Sequence, residues 1–274
     1  MRPLVQFDEL FIRNRLPREV RDLLVKHGAS NTMIQPFNDG ENIVFAREKS
    51  SASLFLAGGF IRSAIAREEV NDVDLFASTK VLANEVANEL ADLHKVRVYS
   101  TDNAYTVRAK PCDIQVIHRW TFPSPEQCVE SFDYTIARAA LWAVRHIAAN
   151  GEISHATWAS TADDDFYSDL AARRLVYRSP VREEEAGGSL LRLLKFYRRN
   201  YTAQLDTIAE VMSRLVMKVR PDDIAKTVAF DNLEGKQNTE ERQTAKVLLG
   251  LLHEVDPNSV TNDPAYTTTE EAMR

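Results

Sequence analysis

Apolar and polar positions along this chain fall into runs whose period identifies the elements. Leu54 to Ala57 (LFLA) is a continuous apolar run of strand length, which predicts a buried strand. Gly58 and Gly59 interrupt it, and Phe60 to Arg67 then read as a helix. A second strand follows, carrying Asp72 and Asp74 around Val73. Side chains alternate along a strand, so these two carboxylates point to one face. Thr79 to His94 is strongly helical and places Val81, Leu82, Val86, Leu90 and Leu93 near one face. Val96–Tyr99, Tyr105–Ala109 and Asp113–His118 are short strand-like runs, with a turn at Thr101-Asp102-Asn103. In the last run Ile114 and Val116 face one way, and Asp113, Gln115 and Ile117 the other. Strand, helix, strand, helix and hairpin-linked strands predict an α/β (α+β) fold, a small mixed β-sheet with helices on one side.

The flanks are more helical. Residues up to about Ser50 read as an N-terminal helical extension. Pro17 to His27 is a helix with Pro17 near its start and Gly28 after its end. Asn38 to Lys49 reads as another short helix. Downstream, Ala203–Val219 and Asn238–Val255 carry apolar residues at helical spacing. From Asp256 the chain is polar and aperiodic, which reads as a flexible tail. The expected division is 1–50 extension, 51–160 head, 161–255 helical region and 256–274 tail.

Composition narrows the picture only loosely. The 274 residues suffice for one large domain or two small ones. Two cysteines, Cys112 and Cys128, offer neither a disulfide framework nor a zinc ligand set, which suits a reducing, cytoplasmic setting. The N-terminus MRPLVQFDELFIRN has no long apolar core, so it does not read as a signal peptide, and no window reaches the length of a membrane span. A net charge of -6 gives no global sign of nucleic-acid binding, so any such contact requires a local patch.

The chemistry concentrates between Leu54 and Phe76. Two aligned carboxylates beside a glycine turn and a helix N-terminus suit a metal-bound triphosphate. Backbone N–H groups and the helix dipole favour phosphate. Carboxylate oxygens favour magnesium, which also takes phosphate oxygens from its substrate. The ordered set Gly58, Gly59, Arg62, Asp72, Asp74 resembles the nucleotidyltransferase superfamily that includes DNA polymerase β. More narrowly, it resembles the head of bacterial-type CCA-adding enzymes and poly(A) polymerases, whose signature is a strand, GGxxRD, a short helix and DxD. Ser63 stands where that family has an acid. The resemblance implies a third carboxylate on a neighbouring strand, for which Asp113 is the candidate, with Arg119 secondary.

The resemblance extends to about Tyr201. FDYTIARAALW (Phe132 to Trp142) is similar to the family's RRDFTINALAY segment, which implies that Asp133 accepts a hydrogen bond from the nucleotide ribose. Asp133 also suits an N-cap for a helix running through Ala148. Phe132 and Ala137 replace the family arginine and asparagine. Asp169, Leu170, Arg174 and Val176 fit a later segment, and SLLRLLKFYRR (Ser189 to Arg199) is similar to the base-reading helix. Arg192 matches that helix's arginine and Lys195 also lines up, but Gly188 and Ser189 replace its acidic pair. Arg173, Arg174, Arg178, Arg182, Arg192, Lys195, Arg198 and Arg199 alternate with Tyr177, Phe196, Tyr197 and Tyr201, a composition suited to phosphates and stacked bases.

Together these imply a metal-dependent nucleotidyltransferase. Asp72, Asp74 and Asp113 would hold Mg2+ and act catalytically. Gly58, Gly59, Arg62, Asp133, Arg192 and Lys195 would bind the NTP. An RNA (tRNA-like) 3′ end would be the acceptor, and two-metal catalysis would release pyrophosphate. Two other readings stay open: a toxin-like or modifying nucleotidyltransferase acting on a protein or small molecule, and a non-catalytic nucleotide- or RNA-binding module.

Overall fold

The structure is a computed structural model and describes residues 1, 3–4, 15–33, 37–38, 43–44, 47–180, 186–217 and 247–248. The chain divides into two compact units, Met1–Ala172 and Arg173–Arg274.

The strands of the first unit are β1 (Ala29–Met33), β2 (Phe37–Asn38), β3 (Ile43–Val44), β4 (Arg47–Ser50), β5 (Leu54–Ala57), β6 (Asp72–Ala77), β7 (Val98–Ser100), β8 (Ala104–Val107), β9 (Asp113–Ile117), β10 (Ala139–Ile147) and β11 (Ile153–Ala162). Its helices are α1 (Arg18–Lys26), α2 (Gly59–Ala66), α3 (Lys80–His94), α4 (Pro125–Glu130), a 3-10 turn at Thr135–Ala137, and α5 (Phe166–Ala171). The main sheet runs β4-β1-β10-β5-β6-β9-β8-β7, with β11 paired to β10; β2 and β3 pair apart from it. β6 and β9 are parallel, whereas β5 meets both β6 and β10 antiparallel, so the sheet is mixed.

One face of the sheet is closed by helices. Val73, Leu75, Val107, Ile114 and Val116 are buried on it, and α3 brings Ala83, Val86, Ala87, Leu90 and Ala91 against β6, β8 and β9. The buried stripe is thus rotated from the expected one: Val81 and Leu93 are exposed, and small alanines let the helix lie close. Thr79 caps α3 by accepting from the Leu82 N–H. On the opposite face Phe55, Phe76, Ala140, Cys128 and Val129 form an apolar cluster, with the Phe55 and Phe76 rings stacked. The second unit pairs β12 (Arg174–Leu175) in parallel with β13 (Thr202–Ala203) and packs α6 (Ala186–Tyr197) against α7 (Leu205–Val216). Among the described residues, no helix is long and apolar enough to cross a membrane.

Two expectations are corrected. The helix foreseen over Asn38–Lys49 is replaced by β2, β3 and β4, and β4 and β1 join the main sheet. Among the described residues up to Ser50, β1 and β4 therefore contribute to the main sheet beside the helix α1. The helix foreseen from Asp133 through Ala148 ends after the 3-10 turn and continues as β10, which is flanked by β1, β5 and β11. Hydrogen bonding on both sides outweighs the helix preference of its alanines and leucine. The helix expected over Asn238–Val255 and the tail from Asp256 lie outside the described residues, apart from two helical positions, Val247 and Leu248.

Candidate active site

The site is built where β5 ends and β6 begins. Leu56 pairs with Leu75, so the next step along the ladder sets Ala57 beside Asp74 and brings the glycine turn alongside the start of β6. Gly58 has φ 82° and ψ −128°, a backbone that side chains resist, and it reverses the chain into α2. Its N–H donates to the Ala139 carbonyl, anchoring the turn to β10. The first-turn N–H groups of α2, from Gly59 onward, have no intrahelical acceptor, and no acidic side chain occupies that turn. Those donors and the positive end of the helix dipole suit phosphate.

Asp72 and Asp74 lie on one face of β6, half-buried, with Val73 and Leu75 buried on the other. The parallel ladder sets Asp72 beside Asp113 and Asp74 beside Gln115 on β9. In-register neighbours share a face. All three predicted carboxylates are therefore together on the face not covered by α3. Gln115, unremarked in the sequence beyond its facing, joins them and donates through Nε2 to Asp72 Oδ2 at 3.4 Å. Burial first, then the Asp72 and Asp113 carboxylates, push the Cys112 thiol above its ordinary range, which fits negative charge gathered at this end of the strands.

Among the described residues, no three His, Cys, Asp or Glu side chains converge as a ready-made metal cage. The donor set still fits magnesium. That ion commonly takes one or two carboxylates and completes its octahedron with water and substrate phosphates, instead of using an all-protein cage. The hard oxygens of Asp72, Asp74 and Asp113 would be the chain's contribution to such a shell.

Arg62 is placed differently from a solvent-facing phosphate ligand. It is only 6% exposed. Its Nη2 donates to Ser63 Oγ at 2.9 Å, and its Nε lies 3.6 Å from Glu68 Oε2. Glu68 was not singled out in the sequence. It meets Arg62 because α2 ends on Arg67 in the left-handed region (φ 57°), which turns the chain back. A carboxylate from the following loop thus accompanies the arginine where the family pattern places an acid at the next position, here Ser63.

Asp133 is 3% exposed and precedes the 3-10 turn. Behind it, Thr135 Oγ1 donates to the fully buried Asp169 Oδ2 at 2.6 Å, tying the turn to α5. Arg138 holds the same segment by donating to the carbonyls of Val129 and Glu130 and to Asp163 Oδ2 at 3.1 Å.

The remaining predicted residues, Arg192 and Lys195, belong to α6 in the second unit; Arg192 is half-buried and Lys195 exposed. Ser189, on the same helix, is fully buried and accepts from Arg214 Nη1 at 3.1 Å, and that nitrogen also donates to Tyr177 Oη at 3.2 Å. An open groove of about 780 Å3 in this unit is lined by Tyr177, Arg178, Glu210 and Arg214 among others, and by none of the predicted site residues.

Comparison with known proteins gives the following. The chain is 27% identical over 163 residues to "Gabija anti-defense 2" of Bacillus phage SPbetaL7, a match covering 60% of this chain and 37% of that protein. The chain thus spans well under half the length of this curated relative. Matches among solved structures include the Thermotoga maritima CCA-adding enzyme complexed with tRNA, at a TM-score of 0.48 and 12% identity, covering 97% of this chain and 58% of that one. A CCA-adding enzyme in complex with ATP matches at a TM-score of 0.48 and 13% identity, with the same coverage of 97% and 58%. A tRNA-processing enzyme with CTP matches at 0.43 and 18%, covering 77% and 56%. The model of the Gabija anti-defense 2 family matches residues 29–173, more than half of the sequence and every strand of the sheet that carries the carboxylates, and the chain belongs to that family.

Proposed function

We propose that this protein is a nucleotidyltransferase that moves a nucleoside monophosphate from an NTP to an acceptor hydroxyl, the acceptor being an RNA 3′ end. The observation that carries this reading is the in-register placement of Asp72, Asp74 and Asp113 on one open sheet face beside the Gly58-Gly59 turn. The α2 N–H groups would hold the triphosphate. The three carboxylates would hold Mg2+, which when bound supplies charge neutralisation and activation of the attacking hydroxyl. Asp113, on the strand farther from the glycine turn, would accept the hydroxyl proton as the acceptor oxygen bonds to the α-phosphorus and pyrophosphate departs. Gln115 orients Asp72. Arg62, held by Ser63 and Glu68, would contribute positive charge from within α2.

Family membership supports a setting for this chemistry. The name of the phage relative is anti-defence against Gabija, and we extend that role to this chain, with nucleotidyl transfer as its means. The test uses radiolabelled NTPs, one at a time, with total cellular RNA and protein. Label should pass to RNA with wild type and fall roughly 100-fold or more with Asp72→Asn plus Asp74→Asn. Undiminished transfer by the double variant would remove the carboxylate assignment. Label on protein alone would favour the modifying-enzyme reading, and NTP binding without any transfer would favour a binding module.

A further inference from the structure

Beyond the carboxylates, the same open face continues across two more strands. Gln115 on β9 is in register with Thr106 on β8, and Thr106 with Tyr99 on β7. Asp74, Gln115, Thr106 and Tyr99 therefore form one row leading away from the glycine turn. At roughly 4.8 Å per strand, Tyr99 stands about 14 Å from Asp74. The opposite face of these strands is closed by α3 through Val107 and Ile114. On the open face Tyr99 is 49% exposed, and the Arg108 guanidinium carbon lies 4.5 Å from its ring centre.

An exposed tyrosine alone needs no explanation. The charges around it do. Val98 pairs with Val107 at the end of the ladder, Arg97 and Arg108 are their immediate chain neighbours beyond it, and both are exposed. Lys95 and Lys110, also exposed, flank them. A positive edge of this kind, in a chain of net charge -6, suits a polyanion.

Resting on the nucleotidyl-transfer reading, we infer that this row is the acceptor platform. A single-stranded nucleic acid would place its 3′ end at Asp74, Asp113 and Gln115 and stack an upstream base on the Tyr99–Arg108 surface. Both aromatic rings and guanidinium planes accept stacked bases. The 14 Å span corresponds to about four stacked nucleotides at roughly 3.4 Å each. Arg97 and Arg108, at the β7–β8 end of the row, would meet phosphates there. The ligand class is thus a single-stranded end that runs across the sheet face to its β7 edge.

Fluorescence anisotropy of short labelled oligonucleotides tests this on the full chain, with NTP affinity measured separately by calorimetry. Tyr99→Ala should weaken oligoribonucleotide binding roughly 5- to 100-fold, and Tyr99→Phe should keep it within about twofold. Arg108→Ala should weaken binding and reduce the slope of log affinity against log salt by about one. NTP affinity should stay at the wild-type value in all three. The same Tyr99 dependence with an oligodeoxyribonucleotide supports the platform as a general single-strand surface. Wild-type affinity in Tyr99→Ala, or no binding of either oligonucleotide by the wild type, overturns it. Binding that depends on Tyr99 while Asp72→Asn plus Asp74→Asn still transfers nucleotides would leave the platform standing and sink the carboxylate assignment instead.

Discussion

Alanine at Gly58 and alanine at Gly59 should have opposite consequences, although the residues are adjacent. Gly58 sits at φ 82°, ψ −128°, and a Cβ there would come 3.4 Å from the Phe132 ring. Forcing a side chain into that region costs about 1–3 kcal/mol. Gly59 begins α2, and a Cβ on it meets nothing nearer than Arg62 Nη2 at 4.0 Å. Helix propensity favours alanine there by up to about 1 kcal/mol. Gly59→Ala should therefore hold or raise stability, while placing a methyl group over the N–H groups assigned to phosphate. Losing one charge-assisted hydrogen bond of about 1.5–3 kcal/mol corresponds to roughly 10- to 150-fold weaker NTP binding. Urea denaturation followed by circular dichroism reads the first effect, and calorimetry with NTP and magnesium the second. Wild-type NTP affinity in a folded Gly59→Ala protein would refute the phosphate cradle. A Gly59→Ala protein destabilised as much as Gly58→Ala would refute the geometry of the turn.

Other consequences are testable by the same methods. Glu68→Ala leaves the buried Arg62 guanidinium without its carboxylate at 3.6 Å and should cost about 3 kcal/mol in urea denaturation; a change under about 0.5 kcal/mol would mean the pair does not hold Arg62. Thr135→Val removes the 2.6 Å bond to buried Asp169 and should cost about 1.5–3 kcal/mol, with a neutral result pointing to other donors as sufficient for Asp169. Burial foremost, then Lys26, lowers the His27 pKa, so the unfolded chain binds its proton first as pH falls. This contribution to stability is full above the ordinary histidine value near 6.5, falls as pH drops below it, and levels off below the folded-state pKa. Urea midpoints at about pH 7.5 and about pH 5.5 should differ less in His27→Asn than in wild type, and an unchanged difference would assign the pH response to other groups. Incubated with transfer RNA lacking CCA, the protein should fail to add C, C and A in order, as read by 3′-end sequencing; faithful addition would show that another group supplies the missing acceptor.

The block from Leu54 to Phe76 was legible because its punctuation is local. A glycine pair, a short helix and an alternating carboxylate pair each leave a mark within a few residues, and β5, α2 and β6 follow those marks closely. The strand of Asp113 was legible through its alternation, whereas Asp113 as a third carboxylate came only from the resemblance; the register sets it beside Asp72. β1 (ASNTM) and β4 (REKS) were not, because neither has an apolar rhythm. β1 is held by pairing with β10, far along the chain, and no local pattern records that partner. β10 was misread because AALWA favours helix until sheet neighbours take both its edges. Glu68 went unnoticed because its meeting with Arg62 depends on the left-handed turn at Arg67, a backbone event with no glycine to announce it. Gln115 escaped because an amide on a strand has no chemistry of its own until the register sets it beside Asp72 and Asp74.

The second unit explains why the family's base-reading pattern does not transfer whole. An acid on that helix would accept from the amino group of cytosine or adenine. Here Ser189 is fully buried, and its hydroxyl oxygen already accepts from Arg214, a residue of α7 that the family pattern does not mention. A serine hydroxyl so engaged offers a base far less acceptor strength than a carboxylate. Introducing an acid at this buried position would pair it with Arg214, so restoring the family residue type would not by itself restore an acceptor for the base. Ser189 is thus tied to a different internal partner, and the sheet face that carries the carboxylates is built without it. On the proposed reading, chemistry at the carboxylates would rest on β5, α2, β6 and β9, while the position of the base-reading acid in the CCA-adding pattern is held by Ser189 and Arg214.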